Sequence, residues 1–527
     1  MKLINMACLL LLLISSIHAQ TENWIYQYTT PGQDEVRKLV YGSDGNIYLC
    51  GFSGTNRDMR VVSLTDSGTL RWTYYYNGPA NENDEALSII YGADENIYIC
   101  GQSTGIGSDQ DFTIISLYKN SPTERWIYRY NGPGNRADCA FSIIYGLDGN
   151  LYAAGYTYGN GSAQDFTIIS LTTTGQERWI YTYNGPGNDY DIANSIVYGQ
   201  DGNLYACGLS TGSTTDRDIT VISLTTTGAE RWIYRYNGTG NGLDAALSIC
   251  YGSDGNIYVC GRSERTSSDF TIISLSSDGT ERWVYQYDGE GNNDDIAHFL
   301  VYAPDSNIYA CGLSTSLAGD WDFTVISLTN LGQERWVYKY NGALNSTDWA
   351  SSLTYNNNNL YICGISNESP SSSYDILTVS LTNTGQERWI YRYDGEDHLT
   401  DIARTIVYGA DNNIYIAGYS SDSLNNSNMI VINLTLAGID ENCGGNDLLT
   451  MQSIFKDKIT LKLNSIPPGK ISAVIYSISG IPVFKKRLTA NSNTLTIEGL
   501  SILQNGVYIL QLYANNRLIG QTKVLKL

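Results

Sequence analysis

A chain of 527 residues with a formal net charge of −21 is larger than one ordinary domain and too acidic to hold a phosphate backbone by charge. The charge is unevenly shared: residues 446–527 carry ten Lys/Arg against three Asp/Glu, whereas residues 20–445 carry 21 against 50. Two units with separate jobs are expected, an acidic larger one and a basic smaller one, with no nucleic acid as partner.

Residues 1–19 read as a secretory signal peptide. Lys2 supplies the positive start, an apolar run ends near Ile17, and Ala19 is a small residue before a cut. Cys8 lies inside the apolar run, too early to be a lipid-bearing cysteine. No later apolar run approaches the roughly 18–20 residues that span a bilayer, so no transmembrane segment is expected.

From residue 20 onward the chain repeats itself. Trp24, Trp72, Trp126, Trp179, Trp232, Trp283, Trp336 and Trp389 open the same Trp-x-Tyr-x-Tyr phrase at spacings between 48 and 54 residues. Within one period, residues 191–236, "DIANSIVYG", "LYACG", "DITVISL" and "RWIYRY" are apolar or aromatic runs rich in β-formers, parted by turn residues. No run has a helical period. Four-stranded units of this length, repeated many times, predict a β-propeller, each blade burying both faces against its neighbours. The three rings of Trp-x-Tyr-x-Tyr alternate with period 2 and should wedge into the gap between blades.

Eight aspartates, Asp34, Asp84, Asp138, Asp191, Asp244, Asp295, Asp348 and Asp401, open eight inner strands. The last unit runs through "MIVINLTLAGID" without its Trp strand, and the chain begins with a stray "NWIYQY". The N-terminal strand should therefore complete the eighth blade, which removes an exposed sheet edge. Seven blades is the alternative and leaves one unit unexplained. Cys50, Cys100, Cys207, Cys260, Cys311 and Cys363 share one slot of the repeat with Ala154 and Ala417, so that slot wants a small buried residue and free thiols are expected.

The repeat "DGNIYxCG…DFTIISLTTTGQERW" resembles the bacterial beta-propeller repeat family, and its Thr-Gly-x-x-x-Trp segment is similar to the tryptophan-docking repeat of the PQQ-dependent dehydrogenases. At the other end, Ile475-Tyr476 before Gly480, Leu500, Gly506-Val507-Tyr508 and the terminal Lys523–Leu527 segment resemble the C-terminal sorting domain of the type IX secretion system of Bacteroidetes. That resemblance implies a small β-sandwich that addresses its cargo across the outer membrane. The expected organisation is a signal peptide at 1–19, an eight-bladed propeller at 20–440, a linker at 441–446 and a sorting domain at 447–527.

Function on a regular ring should sit where the repeat is broken. The recurrent aspartates, including Asp58, Asp111, Asp165, Asp218, Asp269, Asp322 and Asp375 before the third strands, are expected to bind amides of their own loops. No calcium-loop pattern occurs; calcium stays a possible ligand and no cofactor is expected. Thirty-two of the 42 tyrosines fall in repeat slots and carry no sign of a ligand. Trp321 and Trp349 are the only tryptophans outside the Trp slot. His298 stands three residues past Asp295, where other blades hold Arg37, Leu87, Phe141, Asn194, Leu247, Ser351 and Arg404. His398 lies in the loop entering blade 8. Trp321, Trp349, His298, His398, Arg37 and Arg404 are thus candidates for one pocket on blades 6, 7, 8 and 1, offering stacking faces and cationic donors to a sugar or an acidic ligand. Tyr156, Tyr158 and Tyr190 form a weaker off-repeat group. No catalytic residues stand out, and a monomeric, secreted or outer-membrane-surface binding or adhesion module is the expected function. The alternatives are an extracellular enzyme, quinoprotein-like or carbohydrate-active, and a purely structural surface protein.

Overall fold

The structure, a computed structural model, describes residues 20–436 except 343, 368–372 and 425, and in the C-terminal part 450–451, 454–462, 471–477, 482–488, 494–503, 506–514 and 517–526. The signal-peptide segment, the 441–446 linker and Gly480 lie outside the described residues. The chain divides into two compact units, Met1–Ala437 and Gly438–Leu527.

The first unit is eight antiparallel sheets of four strands each. Seven blades are consecutive in the chain, beginning with Glu35–Tyr41, Asn46–Ser53, Asp58–Thr65 and Leu70–Tyr76. The eighth combines Asp401–Tyr408, Asn413–Ser421 and Ser427–Leu436 with the N-terminal strand Gln20–Tyr28, whose Trp24 pairs with Asn433. The ring is closed as the repeat predicted, and it has eight blades. First strands of adjacent blades touch one another all round, including those of blades 8 and 1, so they are the innermost strands.

Eight apolar clusters make the core, one per gap between blades. The Trp slot works at these gaps. Among the described residues, seven of the repeat indoles donate their N–H to a carbonyl in the third-to-fourth-strand turn of the next blade, as Trp179 does to Thr226 at 3.0 Å and Trp24 to Asp66 at 3.0 Å. Beneath the indole lies the glycine of that turn: a Cβ on Gly228 would stand 2.7 Å from Cδ2 of Trp179, and its φ of +85° already disfavours other residues. The first tyrosine of the phrase donates to the turn's glutamate, as Tyr181 does to Glu230 at 2.7 Å. Thr-Gly-x-Glu-Arg-Trp therefore encodes one half of a joint to the preceding blade and one half of a joint to the next.

The described cysteines, Cys50 through Cys363, are all free, and all but Cys250 are fully buried. The second unit holds a three-stranded and a five-stranded sheet, with apolar residues from both, such as Ile459, Ile497, Ile475 and Leu510, in one cluster. Among the described residues there is no α-helix, and no helix is long and apolar enough to cross a membrane.

Candidate functional site: the ring of bulges around the axis

An aspartate stands at or directly before the start of each innermost strand, and it is at most 1 % exposed. Asp191 shows the rule: one oxygen accepts the Gly185 amide at 2.6 Å and the other the Thr211 amide at 3.0 Å, tying two loops of the blade together. Burial raises these carboxyls, to about 6 for Asp138, Asp244, Asp295 and Asp401. The row is structural. The aspartates before the third strands are more varied: Asp111 and Asp218 take the guanidinium groups of Arg129 and Arg235, and Asp58 the hydroxyl of Tyr75.

Three residues past each aspartate the ladder breaks. Arg37, Leu87, Phe141, Asn194, Leu247, His298, Ser351 and Arg404 each sit at a register shift between the first and second strands, one extra residue against the partner strand. The second strand meets the bulge with glycine in every blade, because a Cβ there, as at Gly51, would run into the carbonyl of Glu35. A bulge re-aims its side chain, and these eight lie on the innermost strands. The slot that varies most in sequence is therefore the slot freed from the ladder.

The six candidate residues fall into three groups. Trp321 and Trp349 do meet, their rings 6.4 Å apart and edge-on, and Tyr374 joins them 5.8 Å from Trp349. His298 reaches across to blade 7, where its Nδ1 lies 2.8 Å from the carbonyl of Ala350. Burial lowers its pKa, so the ring is neutral at pH 7 and Nδ1 carries the proton it donates. Asn194 makes the same bond to Ala246 at 2.7 Å, so His298 is a variant of a blade-to-blade tie. His398 is exposed. It occupies the left-handed loop position that Asn188 fills elsewhere, with φ 53°, and its Nδ1 bonds Asp394 at 2.7 Å as Asn184 bonds Asn188 at 2.6 Å. Asp394 raises its pKa.

Arg37 and Arg404 form the third group and are joined through acids. Arg404 Nη2 lies 4.0 Å from Glu35, Glu35 is 3.3 Å from Arg37, and Arg37 is 2.5 Å from Glu85 of blade 2. Tyr374, Glu35 and Glu85 were not singled out in the sequence. Glu35 and Glu85 were detectable, because no other blade places an acid directly after its inner aspartate. In the weaker group, Phe141, Tyr156 and Tyr158 are in contact, while Tyr190 lies under Arg217 instead.

Two trios of carboxylates bring one oxygen each within 4.8 Å: Asp269, Asp288 and Asp295, and Asp375, Asp394 and Asp401. Oxygen donors of this kind suit calcium. Arg265 on Asp269 and His398 on Asp394 already supply cationic partners to the two trios.

The basic C-terminal unit settles its own role. Residues 455–526 match the secretion system C-terminal sorting domain. This sorting domain marks the chain for export by a type IX route, engages the secretion machinery and makes the protein a secreted or cell-surface one. No curated protein matches the chain. Among solved structures, the quinohemoprotein alcohol dehydrogenase from Comamonas testosteroni is similar at 10% identity and a TM-score of 0.49, over 83% of this chain and 79% of that one. The periplasmic gluconolactonase of Pseudomonas aeruginosa is similar at 10% identity and a TM-score of 0.36, over 77% and 97%. The β-propeller domain of the Trilobed protease from Pyrococcus furiosus is similar at 9% identity and 0.38, over 67% and 95%.

Proposed function

We propose that the propeller is an extracellular binding module, delivered by its sorting domain, that holds a carbohydrate or protein ligand on the face where blades 6 and 7 meet. The observation that carries this is the Trp321–Trp349–Tyr374 patch. Three half-buried aromatic rings form a chain of contacts, Trp321 and Tyr374 each against Trp349, in slots where no other blade has an aromatic residue. Nothing in the joints between blades uses them: the indole clamp is built from the repeat tryptophans, and the patch lies outside that slot. Aromatic faces of this kind suit a sugar ring, which stacks its C–H face on them.

The test is binding by the purified protein to an oligosaccharide array, compared with the Trp321→Ala/Trp349→Ala variant. The reading expects a bound glycan class that the variant loses while its melting temperature stays within a few degrees. Unchanged binding in the variant removes the patch from the ligand site.

A further inference from the structure

The ionised residues of the inner strands are not spread round the ring. Setting aside the capping aspartates, three slots face the middle of the propeller: the residue after the aspartate, the bulge, and the residue after the bulge. In blades 3 to 7 none of these fifteen positions carries a charge, His298 being neutral. In blades 8, 1 and 2 they hold Arg404, Glu35, Arg37, Lys38 and Glu85, and Arg57 from the neighbouring loop reaches Glu85 at 3.8 Å. Four cations therefore share two acids. A patch with a positive balance thus lies on the inner strands of a strongly acidic propeller.

The cations are incompletely matched. Lys38 has no ion-pair partner among the described residues, and its side chain is exposed on the innermost strand of blade 1. Arg404 Nε is buried without an acceptor, and its Nη2 stands at 4.0 Å from Glu35, the outer limit of an ion pair. Arg37 and Arg57 are braced on the ring of Phe52, 5.2 and 4.1 Å from its centre, which fixes their planes. A buried guanidinium nitrogen without an acceptor loses free energy until an anion reaches it, and an exposed lysine beside it is free to join the same anion.

We propose that the innermost strands of blades 8, 1 and 2 carry an anion site, taking a carboxylate or phosphoryl group between Arg404 and Arg37 with Lys38 as the further cation. Guanidinium groups held flat favour such oxyanions, which accept two N–H bonds side by side. Glu35 and Glu85 keep the arginines in place and leave the site a positive balance, so exchange with the solvent stays possible. The inference is independent of the aromatic patch on blades 6 and 7.

The repeat itself supplies safe substitutions. Serine fills the Lys38 slot in five blades and leucine the Arg404 slot in two, so Lys38→Ser and Arg404→Leu should fold. Calorimetric titration of the full chain with citrate, and separately with inorganic phosphate, should show binding that weakens with added salt. Each variant should weaken it about tenfold or more. Mass-spectrometric readout of amine acetylation provides a second measure on the unaltered protein: citrate should slow labelling at Lys38 and leave exposed Lys456 unaffected. The proposal is overturned if neither probe binds up to about 10 mM, if both variants bind like the unaltered chain, or if Lys38 labelling ignores citrate.

Discussion

Gly228→Ala tests the joint between blades 4 and 3 most sharply. The residue has φ +85°, where an L side chain costs about 1–2 kcal/mol. The new methyl would also stand 2.7 Å from Cδ2 of Trp179, so the indole must move and its 3.0 Å bond to the Thr226 carbonyl must stretch. Losing that bond costs about 1 kcal/mol, softened because Arg178 still donates to the same carbonyl at 3.1 Å. A total near 2–3 kcal/mol is expected. Trp179→Phe alone should cost about 2 kcal/mol from the bond and the lost ring area. In the double variant the smaller ring makes room for the methyl, so the two losses should fall short of additive by about 1 kcal/mol. Urea unfolding followed by far-UV circular dichroism and tryptophan fluorescence reads all three. Strict additivity would show that Gly228 does not bear on the indole, and the clamp would lose its physical basis.

Four further outcomes are expected. The thiols Cys50, Cys100, Cys207, Cys260, Cys311 and Cys363, pushed up by burial, should resist an aromatic disulfide reagent in the native protein and react on unfolding; rapid native labelling would contradict their burial. His298→Asn should leave the melting temperature nearly unchanged, because Asn194 makes the same tie, whereas His298→Leu should lose about 1 kcal/mol in the same unfolding assay. Asp138, Asp244, Asp295 and Asp401 titrate near 6 when folded and near the ordinary carboxylate value of about 3.9 when unfolded, so folding takes up protons between those values. Their contribution is full below about pH 4 and is lost as pH rises through about 6, so the melting temperature should rise as pH falls from 7 to 5; a fall over that range would contradict the shifts. Deleting residues 20–28 should expose the edge of blade 8 and cause self-association, seen by light scattering; a monomeric, equally stable product would contradict closure by that strand.

The architecture was legible because a propeller repeats one solution eight times. Each tryptophan, turn glycine and capping aspartate must recur, and recurrence is visible without knowing what each residue touches. The partners themselves were less visible. That Tyr181 donates to Glu230 follows from blades being stacked face to face, which places residues about one period apart in contact. His298 and His398 looked like ligand groups because they are rare, yet each fills a slot that asparagine fills elsewhere and makes the same kind of bond. A bulge explains why the slot of His298 tolerates leucine, phenylalanine and arginine alike: its side chain is released from the ladder. Tyr374 precedes Asp375 as Trp321 precedes Asp322, so its slot was legible, and it went unseen among 42 tyrosines of which most serve the repeat. The charged side of the axis required reading three slots together, since each substitution alone looks like drift.

The view of the chain as an acidic propeller addressed by a basic sorting domain is tested most directly by fractionating type IX-competent cells that express the chain cut after Asn446. The account predicts that the truncated propeller accumulates in the periplasm while the full chain reaches the surface or the medium. Surface delivery of the truncated chain at the normal level would contradict it.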